Sequence, residues 1–132
     1  MSDDVDFFIP GVPVPQGSKT VAKAGSRVWL RDANAAKLRP WRETVAKHAD
    51  LGYQFVGPVM VRLYFRFPRP KRPKFEVPAV KPDIDKTVRA VMDGLTDAGL
   101  IEDDSRVVKL FAEKSYHEEP GVRVIVRSVE NV

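Results

Sequence analysis

One stretch leaves this chain little freedom. In "PVMVRLYFRF", residues 58–67, Val59, Val61, Leu63, Phe65 and Phe67 alternate with Met60, Arg62, Tyr64 and Arg66. A period of two puts the two sets on opposite faces of a strand, so one face asks for a core and the other can meet water. The tail "GVRVIVRSV" repeats the device, setting Val122, Val124 and Val126 against Arg123, Ile125 and Arg127. Just before it runs "VVKLFAEKSY", and the intervening "HEEPG" predicts an antiparallel hairpin of the two segments.

Elsewhere the period changes to that of a helix. In "KLRPWRETVAKHADLG", Leu38, Trp41, Val45 and His48 share a side, Pro40 suits a first turn and Gly52 a stop. In the segment after residue 83, Ile84, Val88, Val91, Met92 and Leu95 do the same, with Gly99 as the stop. A short strand opens the chain in "VDFFIPGVPVP", interrupted by its prolines. The basic, turn-rich "QGSKTVAKAGSRVWLRDANAA" carries a further short strand around "RVWL". No repeat or boundary divides the 132 residues, so one domain, 1–132, is expected.

With 43% hydrophobic and 30% charged residues, the chain has the composition of a globular protein. It has no cysteine, which excludes disulfides and thiolate zinc sites. No run approaches the ~20 apolar residues of a membrane span. The acidic start "MSDDVDFFIPG" is unlike a signal peptide, and a cytoplasmic protein is the expectation.

The net charge of +4 hides a segregation. Residues 61–89 carry nine Lys or Arg against three acids, and residues 19–47 carry eight against two. Residues 93–119 carry three against eight. A positive face for a polyanion, with carboxylates brought up to it, fits this pattern. Its densest part is "PRPKRPKFEVPAVKP", residues 68–82, where five prolines forbid a regular element and five side chains are basic. Loops of this length inside a compact domain are often functional.

That loop delivers the chain to "KPDIDK", where Asp83 and Asp85 stand at the mouth of the second helix. Asp83 could be no more than an N-cap, and acids in a first turn suit the helix dipole. Capping does not explain the basic approach. A further cluster, Glu102, Asp103 and Asp104, follows the helix, and a return of the chain could bring it to the first pair. Carboxylates so gathered repel one another unless a cation such as Mg²⁺ sits among them. "DIDKT" also matches the D-x-D-x-T of aspartate-nucleophile phosphatases, but that motif follows a buried apolar strand, and here prolines precede it. His48 reads as a core histidine and His117 as a surface one.

The segment "KPDIDKTVRAVMDGLTDAGLIEDDSRVVKL", residues 81–110, resembles the signature region of the RusA family of Holliday junction resolvases of bacteria and their phages. The K-P-D-x-D pair, the helix ending in D-[AG]-L and the acidic doublet before a strand stand in the family's order. The opening "IPGVPVPQGSKT" is similar more loosely. The resemblance implies an α/β (α+β type) domain with a mixed, mainly antiparallel sheet flanked by helices. It implies a homodimeric endodeoxyribonuclease that nicks four-way or other branched DNA in a symmetric pair and leaves 5′-phosphates. The cofactor would be Mg²⁺, with Mn²⁺ as a substitute, and the metal ligands Asp83, Asp85 and Asp104. Two positions depart from the family. Lys86 stands where Asn is frequent, and Arg89 stands where a catalytic lysine occurs. Arg89 keeps the charge but cannot give up a proton, so charge stabilisation is the role left to it, shared with Lys86. Lys19, Arg69, Lys71, Arg72, Lys74 and Lys81 are the DNA contacts expected, mostly to phosphates. A RusA-like protein that binds branched DNA without cutting it is the rival reading.

Overall fold

The computed structural model describes residues 4–17, 19–24, 27–32 and 35–129, and of residues 19–24, 27–32 and Ala35 the backbone only. The chain runs β1 (Val5–Pro10), β2 (Lys19–Ala24), β3 (Arg27–Asp32), α1 (Ala35–Ala49), β4 (Val59–Phe67), α2 (Ile84–Asp97), a 3₁₀ turn (Asp104–Arg106), β5 (Val107–Tyr116) and β6 (Gly121–Ser128). The inward row of β4 is realised in full, with Val59, Val61, Leu63 and Phe65 completely buried and Phe67 nearly so, and Met60 of the other row is buried as well. Val122, Val124 and Val126 of β6 join that inward row on the same face, as does Ile9 of β1. Each such side chain contributes about 1.5–3 kcal/mol on burial.

The four-stranded sheet has the order β1-β6-β4-β5, antiparallel except for β4 and β5, which run parallel. Strands β2 and β3 pair separately as an antiparallel hairpin. The result is a single α+β domain with a mixed, mainly antiparallel sheet. The predicted β5–β6 hairpin is not formed. Strand β4 lies between the two segments, and "HEEPG" steps across its end, where His117 N donates to Phe67 O at 2.9 Å. The reason is burial. The most apolar strand takes a central place with a neighbour on each side, and β5, with Lys109 and Glu113, is left at the edge. Strand β2 was not expected from the sequence at all.

Helix α1 buries Leu38, Trp41, Val45 and Ala49, and tolerates Pro40 inside it. His48 is half-buried, with Nδ1 2.9 Å from Thr44 O. Helix α2 turns Val91, Met92 and Leu95 inward as predicted, but its buried stripe also takes in Thr87, Ala90 and Gly94, while Ile84 stays 37% exposed. Gly99, at φ 76°, closes it: Gly99 N bonds Thr96 O and Leu100 N bonds Leu95 O, a Schellman pattern that needs a left-handed residue. Residues 68–83 form no regular element, and the Lys81–Pro82 peptide is cis.

The helices meet where Gly94 faces Val45. A Cβ on Gly94 would overlap the Val45 side chain, coming within 2.8 Å of its Cβ as well. Gly94→Ala is therefore expected to cost about 1–3 kcal/mol in urea unfolding. The double variant Gly94→Ala with Val45→Ala should lose less than the sum of the single losses, because each change makes room for the other. Additive losses would mean that the helices do not touch at this pair.

Candidate active site

The chain enters α2 through Asp83, whose backbone is extended (φ −65°, ψ 138°). Its carbonyl accepts from Thr87 N at 3.1 Å and from Thr87 Oγ1 at 2.8 Å, which satisfies the one buried polar side chain among the described residues. Its carboxylate makes no capping bond. The bland explanation of Asp83, that it is there to cap the helix, is thus not the one this helix uses. Asp85 follows in the first turn, exposed.

Between α2 and the start of β5 lies an open cavity of about 510 Å³. Asp85, Lys86, Arg89 and Asp104 supply its polar rim, and Val88 and Met92 part of its apolar floor. The acidic triplet after the helix is sorted by its hydrogen bonds. Glu102 accepts from Gly57 N at 2.8 Å and from Arg106 Nε at 3.2 Å. Asp103 accepts from Ser105 N at 2.9 Å and so caps the 3₁₀ turn. These bonds hold both carboxyls below their ordinary range, for Glu102 chiefly the Gly57 amide and for Asp103 the Ser105 side chain and amide. Asp104 alone of the three faces the cavity, where Thr96 Oγ1 donates to its Oδ1 at 2.7 Å.

The bond to Thr96 fixes how far apart the predicted ligands stand. Thr96 and Asp85 are on the same helix, about 16 Å apart along its axis at 1.5 Å per residue. The chain does return to α2, but to its C-terminal end, whereas Asp83 and Asp85 stand at its N-terminus. Among the described residues no three acidic or histidine side chains are close enough to hold one ion. A single chain therefore offers Asp85 at one end of the cavity, with Asp83 just before it in the chain, and Asp104 at the other. As hard oxygen donors they suit Mg²⁺, which is commonly held by one or two carboxylates together with waters and phosphate oxygens.

One more acid stands on this helix. Asp93 lies midway, two helical turns beyond Asp85 on the stripe that also carries Arg89. Burial pushes its carboxyl up. Asp104 and Asp97 add to the rise, while Arg42 and Arg89 oppose it. Arg42 of α1 also pairs with Asp97 at 2.8 Å. Of the expected DNA contacts, Arg69, Lys71, Arg72, Lys74 and Lys81 are exposed along the loop, and Lys74 sits 5.7 Å from the Phe75 ring centroid. Lys19 opens β2, and its side chain lies outside the described residues. No described helix is long and apolar enough to cross a membrane.

The family model of endodeoxyribonuclease RusA matches residues 10–127, most of the chain. The chain belongs to the RusA endodeoxyribonuclease family. A relative in Bacillus subtilis (strain 168), the uncharacterized protein YqaN, is 33% identical over 140 residues, covering 96% of this chain and 98% of that protein. Membership in the RusA family makes the cavity beside α2, with its acids and bases, the place to look for phosphodiester chemistry.

The raised carboxyl of Asp93 has a consequence for stability. Its folded pKa lies above its unfolded one, so the native state holds that proton more tightly. The cost is absent below the unfolded value and fully present above the folded value. Asp93→Asn should therefore raise the Tm at neutral pH, with the gap to wild type closing as the pH falls into the ordinary carboxylate range. A lower Tm for the variant at neutral pH would mean that Arg42 and Arg89 outweigh the burial.

Proposed function

We propose that this RusA-family protein is a homodimeric, Mg²⁺-dependent endonuclease that resolves four-way DNA junctions by two symmetric nicks, leaving 5′-phosphate and 3′-hydroxyl ends. The observation that carries this reading is the cavity rim: Asp85, Asp104, Arg89 and Lys86 face one space in a chain of this family. Bound Mg²⁺ would supply Lewis-acid stabilisation of the phosphate and a more acidic water.

The chain's own residues do the rest. Asp83, Asp85 and Asp104 hold the ion, Arg89 and Lys86 meet charge building on the scissile phosphate, and the loop cations hold flanking phosphates. The separation of the acids along α2 supports a site to which the second copy contributes. A two-fold axis that sets the two α2 helices side by side and antiparallel puts Asp83 and Asp85 of one subunit beside Asp104 of the partner subunit, twice. Exposed apolar side chains on the edge strand β5, Val108, Leu110 and Phe111, offer such an interface something to bury. Two sites related by a two-fold also suit a junction that must be cut symmetrically.

Labelled four-way junction and linear duplex, each with Mg²⁺ or EDTA, test the activity. Asp85→Asn and Asp104→Asn should each lower nicking by at least about 100-fold, the upper end of what is lost with a group that merely supports a metal ligand. Junction binding should survive in both. Mixing the two inactive variants tests the shared site. In a mixed dimer one site carries both changes and the other carries neither, so nicking of a single strand should return. Mixtures that stay inactive despite subunit exchange would place all three ligands in one subunit. Binding without nicking by the wild type would favour the non-cleaving reading.

The loop makes a separate prediction. Each phosphate contact on duplex DNA adds about −0.9 to the dependence of log affinity on log salt. Changing Lys71, Arg72 and Lys74 together to Ala should flatten that slope by up to roughly 3 units, for junction and duplex alike. An unchanged slope would make the loop a solvated connector.

A further inference from the structure

The row of β5 side chains that faces the helices is Leu110, Ala112, Lys114 and Tyr116, standing in register with Val61, Leu63, Phe65 and Phe67 of β4. A lysine in a core-facing row is out of pattern. It is half-buried, and a buried ammonium needs polar partners. Lys114 Nζ donates to Val80 O at 2.8 Å and to Pro82 O at 2.9 Å. These carbonyls flank Lys81 and lead directly into Asp83.

The rest of the loop has little else to hold it. Among the described residues no other hydrogen bond ties residues 68–82 to the remainder of the fold, and Ala79 N to Val77 O is internal to the loop. Pro78 is its one buried residue. Beneath the loop lies a largely apolar cavity of about 240 Å³, lined by Val12, Phe67 and Tyr116 among others. Asp83, for its part, has no side-chain cap to hold its carboxylate.

We infer that Lys114 is the positioning residue of the acidic pair: from the far end of β5 it straps the Val80–Pro82 backbone to the sheet and so sets where Asp83 and Asp85 stand. This rests on the endonuclease reading for its consequence in catalysis, but not for the strap itself. Two charge-assisted hydrogen bonds to the carbonyls on either side of Lys81 fix both the distance and the tilt of the segment. Methionine at this position keeps the stem and loses both bonds. Arginine keeps two or more donors that could span the pair.

Two readouts on the full-length protein separate the strap from the activity. Amide exchange in residues 76–87, measured without DNA or metal, should quicken by about tenfold in Lys114→Met and return most of the way in Lys114→Arg. In single-turnover nicking of a four-way junction with Mg²⁺, Lys114→Met should slow the rate by roughly ten- to a hundredfold, the scale of a misplacement near 1 Å, while junction affinity holds. Lys114→Arg should recover part of that rate. Unchanged exchange in Lys114→Met would overturn the proposal, and so would quicker exchange with an unchanged nicking rate. Affinity falling in step with the rate would also overturn it, since Lys114 would then be a DNA contact. A wild-type protein that never nicks DNA would sink the endonuclease reading, and exchange alone would still decide whether Lys114 holds the loop.

Discussion

Everything in this fold follows from the need to bury one face of β4. Val59, Val61, Leu63, Phe65 and Phe67 can be covered only if β4 has strands on both sides and helices over one face. β6 takes one side, antiparallel, and β5 takes the other, parallel. A parallel neighbour cannot be reached by a tight turn, so the chain must cross over, and α2 is that crossover. The proline-rich loop is the outward leg of the same crossover. Both candidate functional elements are therefore the connection that the central strand requires.

The direction of α2 then decides the layout of the acids. A crossover helix runs against the strands it joins. Its N-terminus comes near the end of β5, where Lys114 reaches Pro82 O, and its C-terminus near the start of β5, where Thr96 meets Asp104. Asp83 and Asp85 are held apart from Asp104 by the length of the helix. Between them the stripe alternates in sign through Arg89 and Asp93, so neighbouring charges partly neutralise each other. Gly94 belongs to the same design, since only a residue without a Cβ lets α2 settle against Val45 closely enough to roof the sheet.

Much of this was legible in the sequence. The burial of β4 and β6 could be read from period two, the inward face of α2 from its spacing, and the loop from its prolines. What could not be read was pairing. β5 and β6 are near in sequence and joined by a turn-rich segment, yet β4 separates them, because competition for the central place depends on all strands at once. Function divided the same way. The acids and the basic loop announce themselves, and the resemblance named the family that the comparison then showed. The sorting of Glu102, Asp103 and Asp104 depends on which backbone amide each carboxylate meets, and no spacing rule encodes that. Lys114 was missed because it looks like one more surface cation until its row is known to face inward.

The separation of the acids also bears on how such a nuclease could be kept harmless. Carboxylates at opposite ends of a helix about 20 Å long cannot jointly grip one ion, so a lone subunit would bind DNA through its loop with its chemistry unassembled. If the second copy completes the site, cleavage becomes conditional on dimer formation. The two-fold that completes one site completes the other in the same step. Paired nicks would then be a property of the geometry, with no signal needed between the sites. The cost falls on β5, an edge strand with Val108, Leu110 and Phe111 left in solvent in the single chain. An edge of that kind invites unwanted pairing unless something covers it. Under the proposed dimer, the second copy that completes the site would also be the cover for this edge.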